Sequence, residues 1–223
     1  MNSSTKKSIQ QLLYYRRHIK SNSISSQILE LLYTNRNLTL KEITNQFDSK
    51  YYLYVKKVVL YLKRNGYLDI DNHKQYNRNY SLTQMGRWFT ICTKLDIPFL
   101  SLCLISDVYC TVKDQSNNNY KIYLISSFRR LFDSRYNESI SAIYSEQNIY
   151  KSIRYLIEKN LIGHISKDII KMNDATITKL NQYNDDLNKL HHWIYDVSVE
   201  CKDFYLENND VPKQLLSLIK HNN

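Results

Sequence analysis

The sequence predicts a mainly α-helical fold with small β-hairpins, arranged as two similar units of helices and a hairpin, followed by a long C-terminal helix. Three observations support this fold class. Apolar residues recur at helical spacing in several separate stretches. Two of these stretches stop before a residue suited to end a helix, Gly66 or Asn160, and short strand-like segments follow each of them. Finally, the C-terminal part carries apolar residues at alternating steps of three and four positions, which is typical of a long helix.

Charge is distributed unevenly along the 223 residues, whose formal net charge is +10. Residues 1–100 contain 16 basic residues (Lys and Arg) and 6 acidic residues (Asp and Glu), whereas residues 101–223 contain 15 basic and 15 acidic residues. A basic excess confined to one half indicates a polyanionic partner, either nucleic acid or an anionic membrane surface. No apolar run approaches the roughly 20 residues that span a bilayer, so we expect no membrane insertion.

The first elements are two short helices. Apolar residues at helical spacing predict the first of them: Ile24, Ile28, Leu31 and Leu32. Thr39 and Glu42 fit the S/T-x-x-E capping box, which predicts that a second helix begins there. Its inward side chains are expected to be Leu40, Ile43 and Phe47.

A basic helix follows, predicted over residues 51–65. Val55, Val59 and Leu62 form its inward face, and Gly66 suits the left-handed position after a helix end. No acid occurs from Tyr51 to Tyr67, although solvated helix faces usually mix charges of both signs. An ordinary solvated face is the alternative interpretation of these cations.

A hairpin and another helix complete this unit. The segment YLDI predicts one strand, DNHKQYNRN a polar loop, and NYSL the returning strand. Thr83 is then placed to cap the helix QMGRWFTICTKL.

The order of these elements resembles the winged-helix domain of DNA-binding transcription regulators, over about residues 22–95. The resemblance depends on LTLKEI (Leu38–Ile43), V-x3-V-x2-L-x3-G-Y-L (Val55–Leu68) and YSLTQMG (Tyr80–Gly86). It implies that the basic helix enters the major groove of double-stranded DNA and that the hairpin loop, the wing, clamps the backbone. The DNA-binding residues expected in this unit are Lys50, Tyr52, Tyr54, Lys56, Lys57, Leu60, Lys63, Arg64, His73, Lys74 and Arg78.

The same pattern recurs later in the chain. Ile149, Ile153 and Leu156 repeat the inward spacing, Asn160 takes the place of Gly66, and IGHI-SKD-IIKM predicts a short hairpin. Upstream, helices are predicted over Ile122–Phe132 and Ser139–Tyr144. The second basic helix also carries acids, so DNA contact through Lys151 and Arg154 and a role in assembly both remain open.

The C-terminal helix carries an apolar stripe with heptad spacing. One interpretation is the interface of a coiled-coil-like homodimer, since paired DNA half-sites require two-fold symmetry. The alternative is a helix that packs on its own domain. The predicted interface residues are Leu180, Leu187, Leu190, Ile194 and Val197.

The resulting domain organisation has six parts. It comprises a basic N-terminal arm (1–21), a winged-helix DNA-binding domain (22–95), a helical connector (96–119), a second winged-helix-like domain (120–173), the C-terminal helix (174–206) and a tail (207–223).

No catalytic or metal-binding motif is recognisable. With glycine only at positions 66, 86 and 163, neither a dinucleotide-binding nor a P-loop motif is possible. The four cysteines form no C-x-x-C pair and are expected to be free thiols in a reducing cytoplasm. We therefore expect a non-enzymatic, cofactor-free DNA-binding protein associated with the nucleoid, most simply a transcription regulator. The alternatives are a plasmid or viral replication or partition initiator and a protein-assembly module.

Overall fold

A computed structural model describes residues 19–71, 78–113, 121–124, 146–166 and 169–194. The predictions for most of the N-terminal arm, the short helix at 139–144, the tail, His73, Lys74 and Val197 lie outside this part of the chain. The described part is mainly helical with two small antiparallel sheets, which confirms the predicted fold class at that level. Its contacts divide the chain into a unit of His18–Leu102 and a unit that contains Cys103–Asn223.

The first unit alternates short helices with a three-stranded sheet. Its elements are α1 (Ile24–Thr34), β1 (Leu38–Thr39), α2 (Leu40–Thr44), α3 (Tyr52–Arg64), β2 (Leu68–Asp71), β3 (Asn79–Leu82), α4 (Gln84–Leu95) and the start of α5 (Phe99–Val112). The sheet order is β1-β3-β2, so the predicted hairpin is extended by a strand from before α2. The sequence did not predict β1, because two residues are too short to show strand periodicity.

Helix starts in this unit follow the predicted capping rules. The Glu42 carboxylate accepts a hydrogen bond from the Thr39 backbone N–H at 2.7 Å, while the Thr39 hydroxyl accepts one from the Glu42 N–H at 3.2 Å. The hydrogen bond from the Thr39 backbone is the main cause that holds the pKa of Glu42 below its ordinary value. Thr83 caps α4 in the same way, because its hydroxyl accepts from the Gly86 N–H at 3.1 Å.

The apolar faces of α1, α3 and α4 form the core of the first unit. Fully buried side chains include Ile28, Leu29, Leu32, Ile43, Val55, Val59, Leu62 and Ile91. The ring of Phe89 stacks on Phe99 with centroids 5.3 Å apart and meets the edge of Tyr67 at 5.0 Å. The predicted inward residues Val55, Val59 and Leu62 are confirmed, whereas Leu40 and Phe47 are only half-buried. Burial of each large side chain stabilises the fold by about 1.5–3 kcal/mol.

Gly66 ends α3 and fixes the position of the following strand. Its φ is +74°, a left-handed conformation that glycine adopts without strain. The Gly66 N–H donates to the Lys63 carbonyl and the Tyr67 N–H donates to the Leu62 carbonyl, both at 2.9 Å. The Thr83 hydroxyl donates to the Gly66 carbonyl at 2.6 Å, which ties the start of α4 to the end of α3.

The second unit contains a sheet with equivalent topology. Its described elements are the rest of α5, β4 (Lys121–Leu124), α6 (Glu146–Glu158), β5 (Gly163–Ser166), β6 (Ile169–Met172), α7 (Asp174–Asn181) and α8 (184–194). The sheet order is β4-β6-β5, again with the strand from before the helix paired to the last strand. The predicted hairpin after α6 is therefore confirmed.

The end of α6 repeats the end of α3 bond for bond. Asn160 has φ +54°, and its N–H donates to the Ile157 carbonyl at 2.9 Å. The Leu161 N–H donates to the Leu156 carbonyl, also at 2.9 Å. Two cross-strand pairs match as well, since Gly163 faces Lys171 as Asp69 faces Ser81, and His164 faces Ile170 as Ile70 faces Tyr80. A bulge between His164 and Ser166 then shifts the register of the second hairpin. The internal repeat predicted from the sequence thus extends to backbone hydrogen bonds.

The helix predicted over Ile122–Phe132, upstream of α6, is wrong at its start. Residues Ile122–Leu124 belong to β4, where Ile122 pairs with Lys171 and Leu124 with Ile169. Apolar and aromatic residues such as Ile122, Tyr123 and Leu124 suit a strand as well as a helix, and pairing with β6 decides between them.

The C-terminal helix is interrupted rather than continuous. α7 ends at Asn181, and a turn at Gln182 and Tyr183 precedes α8. Asparagine and glutamine are abundant here, and asparagine competes for backbone hydrogen bonds and favours turns over helix interiors. The Tyr109 hydroxyl lies 2.8 Å from the Asn181 side-chain oxygen and 3.1 Å from that of Asn184, so α5 contacts both sides of the interruption.

Four of the five predicted dimer residues are buried within a single chain, and the fifth, Val197, lies outside the described residues. Leu180, Leu187, Leu190 and Ile194 are all fully buried, and the Ser106 hydroxyl of α5 donates to the Leu187 carbonyl at 2.7 Å. A dimer formed through this stripe would require those side chains to leave the core. We therefore withdraw these residues as a dimer interface, because heptad spacing identifies an apolar stripe but not the molecule that covers it.

Three cysteines lie in the described part of the chain and none of them forms a disulfide. Cys92 and Cys103 are buried, and Cys110 is half-buried. Within the described ranges no single helix is long and apolar enough to cross a bilayer. The helices α4 and α5 meet the length and composition required only when they are counted together across a bend of 94°.

Candidate nucleic-acid interface

The exposed face of α3 is the strongest candidate site in the described part of the chain. A helix advances about 100° per residue, so side chains opposite the buried Val55, Val58, Val59 and Leu62 can be identified by position. We call these opposite residues the outer stripe of α3, and all of them are exposed: Leu53, Lys57, Leu60 and Arg64.

Lysines and tyrosines flank the outer stripe of α3. Tyr52, Lys56 and Lys63 lie along one side, and Tyr54 and Tyr61 lie along the other. All five side chains are exposed, with Tyr54 at 56% of its surface. The helix therefore presents cations and apolar or aromatic groups together across its solvent side.

The cations of α3 are not neutralised by acids. Among the residues that the structure describes, none forms an ion pair with Lys56, Lys57, Lys63 or Arg64. No Asp or Glu occurs between Ser49 and Tyr67, so no local carboxylate competes for them. Cations held on a rigid helix without partners produce a positive surface that attracts anions.

The segment before α3 fixes how the helix starts. A 3-10 turn over Ser49–Tyr51 leads into it, and the Asp48 carboxylate accepts from the Lys50 N–H at 3.1 Å. The Lys50 ammonium lies 2.9 Å from Asp48 and 4.9 Å from the ring centroid of Tyr51. Hydrogen bonds from the side chain and then the backbone of Lys50 hold the pKa of Asp48 below its ordinary value, so the Asp48 carboxyl is ionised near neutral pH.

Two further cations of the first unit are directed at an aromatic ring. The Arg87 guanidinium and the Lys94 ammonium of α4 each lie 4.8 Å from the ring centroid of Tyr33 on α1. These cation–π contacts connect α1 with α4, so both cations serve the packing of the unit.

Most of the sequence-predicted binding residues on the first unit lie on one surface. Those on α3 are all exposed on the outer stripe or its flanks, and Lys50 lies in the preceding turn. Arg78 is exposed just before β3, at the base of the predicted wing.

Sequence reasoning missed Leu53 and Tyr61. Leu53 is 70% exposed, the largest exposed fraction among the large apolar side chains of the described chain, and Tyr61 is 45% exposed. A helical wheel of residues 52–64 places Leu53 opposite the valines and Tyr61 beside the outer stripe, whereas charge alone singles out the lysines.

The equivalent helix of the second unit presents different chemistry. Buried Ile149, Ser152, Ile153 and Leu156 face inward, as the apolar residues of α3 do. The outer stripe of α6 is exposed and consists of Gln147, Lys151, Arg154 and Glu158. The predicted residues Lys151 and Arg154 thus lie on the equivalent surface, but beside an amide and an acid.

The described residues contain no group of three or more His, Cys, Asp or Glu side chains that could hold a metal ion. His191 Nδ1 lies 3.1 Å from the buried Asp107 carboxylate, a single pair between α8 and α5. Comparison of the chain with protein-family models, curated proteins and solved structures found no match.

Proposed function

We propose that this protein binds double-stranded DNA by placing α3 in the major groove. The observation that supports this most strongly is the set of four exposed α3 cations without ion-pair partners in the described structure. A solvated face with no functional partner would be expected to include acids, which would stabilise the helix through neighbouring pairs.

The arrangement of the first unit supports the same proposal. The order α1-β1-α2-α3-β2-β3, with β1 paired to β3, resembles that of winged-helix domains. In such domains the third helix protrudes and the hairpin lies beside it. An α-helix with its side chains is about 10–12 Å wide, which fits a major groove about 12 Å wide.

Lysine and arginine at these positions suit phosphates and guanine edges. Lys57 and Arg64 point outward along the centre of the helix surface, whereas Lys56 and Lys63 lie to one side, towards where a phosphate backbone would be. Arg78, before β3, would contact the backbone from the wing. In this proposal the tyrosines beside these cations contribute contact area and hydroxyl hydrogen bonds.

Within DNA-binding proteins, we place the chain among transcription regulators, with a replication or partition initiator as the alternative. Genome-wide mapping of bound DNA separates the two. Short palindromes near promoters fit a regulator, whereas a long array of repeats at one locus fits an initiator.

Binding of the full chain to duplex DNA at several salt concentrations tests the proposal. We expect affinity to fall steeply with salt, with a log–log slope of about −0.9 for each phosphate contact. Lys57→Glu should reduce affinity at least tenfold, because it replaces a donor at the centre of the surface with a repelled charge. Lys189→Glu makes the same change in net charge at an exposed position of α8 and should leave affinity within about twofold. A flat salt dependence, or equal losses in both variants, contradicts the proposal.

A further inference from the structure

The outer stripe of α3 alternates aliphatic and cationic side chains. Leu53 is 70% exposed and Leu60 is 38% exposed, and each is followed four positions later by a cation, Lys57 or Arg64. A leucine on the most solvent-exposed line of a helix gains nothing from core packing. Its position favours a contact made only in a complex.

The side chains available on α3 restrict which base edges this helix can bind. Between Tyr52 and Arg64 there is no Asn, Gln, Asp or Glu. The bidentate amide contact to adenine and the carboxylate contact to the cytosine amino group are therefore absent from this helix. What remains are cationic donors, which match the acceptors of guanine, tyrosine hydroxyls along the flanks, and apolar groups, which match the methyl group of thymine.

We propose, on the premise that α3 enters the major groove, that Leu53 determines base preference by packing against the 5-methyl group of a thymine. The N-terminal part of a helix in this position approaches the base edges most closely, and Leu53 is the second residue of α3. Lys57, one turn later on the same line, donates to the acceptors of a neighbouring guanine or thymine. Leu60 provides a second apolar contact farther along the helix.

The equivalent position of the second unit does not share this property. Gln147 replaces Leu53 and Arg154 replaces Leu60 in the outer stripe of α6. The thymine preference is therefore a property of the first unit.

Replacement of thymine by deoxyuridine tests the inference, because uracil keeps the hydrogen-bonding edge and lacks the methyl group. The duplex is first selected from a random pool with the full-length protein, and each thymine in the preferred site is then replaced in turn. We expect replacement of the thymine that contacts Leu53 to weaken binding about fourfold, the factor for one buried methyl group. Leu53→Ala should weaken binding to the thymine duplex by a similar or larger factor and should bind the thymine and uracil duplexes equally.

Two controls separate this contact from other effects. Ile165→Ala removes another aliphatic side chain, 51% exposed on β5, and should retain both the affinity and the preference for thymine. Leu60→Ala should reduce the loss of binding that follows replacement of a different thymine, the one that contacts Leu60. Circular dichroism should show no loss of helix in either α3 variant, because both side chains are exposed.

The outcomes distinguish this inference from the proposed function. Equal binding of the wild type to thymine and uracil duplexes overturns the inference while DNA binding stands. A full preference for thymine in Leu53→Ala also overturns it, because another residue then contacts the methyl group. Absence of binding to any duplex overturns the proposed function together with this inference.

Discussion

The helices α3 and α6 share a backbone design and differ on their solvent side. Each buries a mainly apolar stripe, is followed by a residue in the left-handed conformation and leads into a hairpin in which two cross-strand pairs match. On the outer stripe, leucines and cations in α3 correspond to an amide, two cations and an acid in α6. Only Lys57 and Lys151 are identical at equivalent places of this stripe.

This difference separates two kinds of constraint on one repeated unit. Three of the four inward positions and the helix end match in chemical type, because they determine whether the helix packs and where the next strand begins; the exception is Ser152, which corresponds to Val58. Three of the four outward positions differ, because they do not affect folding. Residues conserved in kind between α3 and α6 therefore indicate the fold, and residues that differ between them indicate function.

The largest effect on stability is expected at the third residue of the helix that follows each hairpin, when the residue of one unit is replaced by that of the other. Gly86 occupies this position in α4, and a Cβ there would collide with the Tyr67 carbonyl oxygen and approach Leu82 Cδ2 at 3.1 Å. Thr176 occupies the equivalent position in α7 and is buried. Gly86→Thr should lower the free energy of unfolding by about 3 kcal/mol, and Thr176→Gly by about 1 kcal/mol. Denaturant titration by circular dichroism measures both, and equal effects would show that the two units pack this helix alike.

A smaller effect is expected at the left-handed helix ends. Gly66 and Asn160 have φ of +74° and +54°, and asparagine tolerates this conformation better than alanine does. Gly66→Ala should destabilise the protein by about 1–2 kcal/mol, and Gly66→Asn by clearly less. Added atoms at this position would first meet Met85 Cε at 3.1 Å, the end of a flexible side chain, so backbone strain dominates. Thermal unfolding ranks the stability of the two variants. A larger loss of stability in Gly66→Asn than in Gly66→Ala would mean that contacts of the added side chain, and not backbone strain, determine the cost.

The smallest effect is expected when α6 is given the outer stripe of α3. Gln147→Leu together with Glu158→Arg converts two of its four positions, in a chain that carries Lys57→Glu to weaken α3. Because Lys57→Glu weakens α3 and one acid of α6 becomes a cation, DNA should contact α6 in this chain, so the magnitude of the salt slope should rise by about 1, with a modest gain in affinity. The measurement is DNA binding at several salt concentrations. In the charge-matched control, the chain with the two α6 substitutions carries Lys189→Glu instead of Lys57→Glu. No change in slope would show that the solvent side of α6 is not positioned to contact DNA.

Local rules predicted much of the first unit from sequence. The capping box of Thr39 and Glu42, the cap at Thr83 and the left-handed end at Gly66 depend only on neighbouring residues, so pattern was sufficient. The repeat at Asn160 followed from the same spacing. The exposure of the α3 cations was predictable because the inward residues of that helix were identified correctly.

The remaining errors involve interactions between distant residues. β1 and β4 form only because β3 and β6 pair with them, and no local feature of Leu38 or Ile122 announces that pairing. The heptad stripe predicted an apolar surface at Leu187 correctly, but periodicity could not show that the same chain covers it. Leu53 was overlooked because an exposed leucine is recognised as unusual only after the buried face is known.

Salt-dependent DNA binding of two matched double variants tests the central claim most directly. Lys57→Ala with Arg64→Ala removes the cations from the outer stripe of α3, and Lys151→Ala with Arg154→Ala removes those from the outer stripe of α6. All four side chains are exposed, and each variant lowers the net charge by the same amount. If α3 is the DNA-binding helix, the first variant should lose most of its affinity for the preferred duplex at every salt concentration, while the second remains near wild type. Equal losses, or a larger loss in the α6 variant, would contradict the assignment of DNA binding to α3.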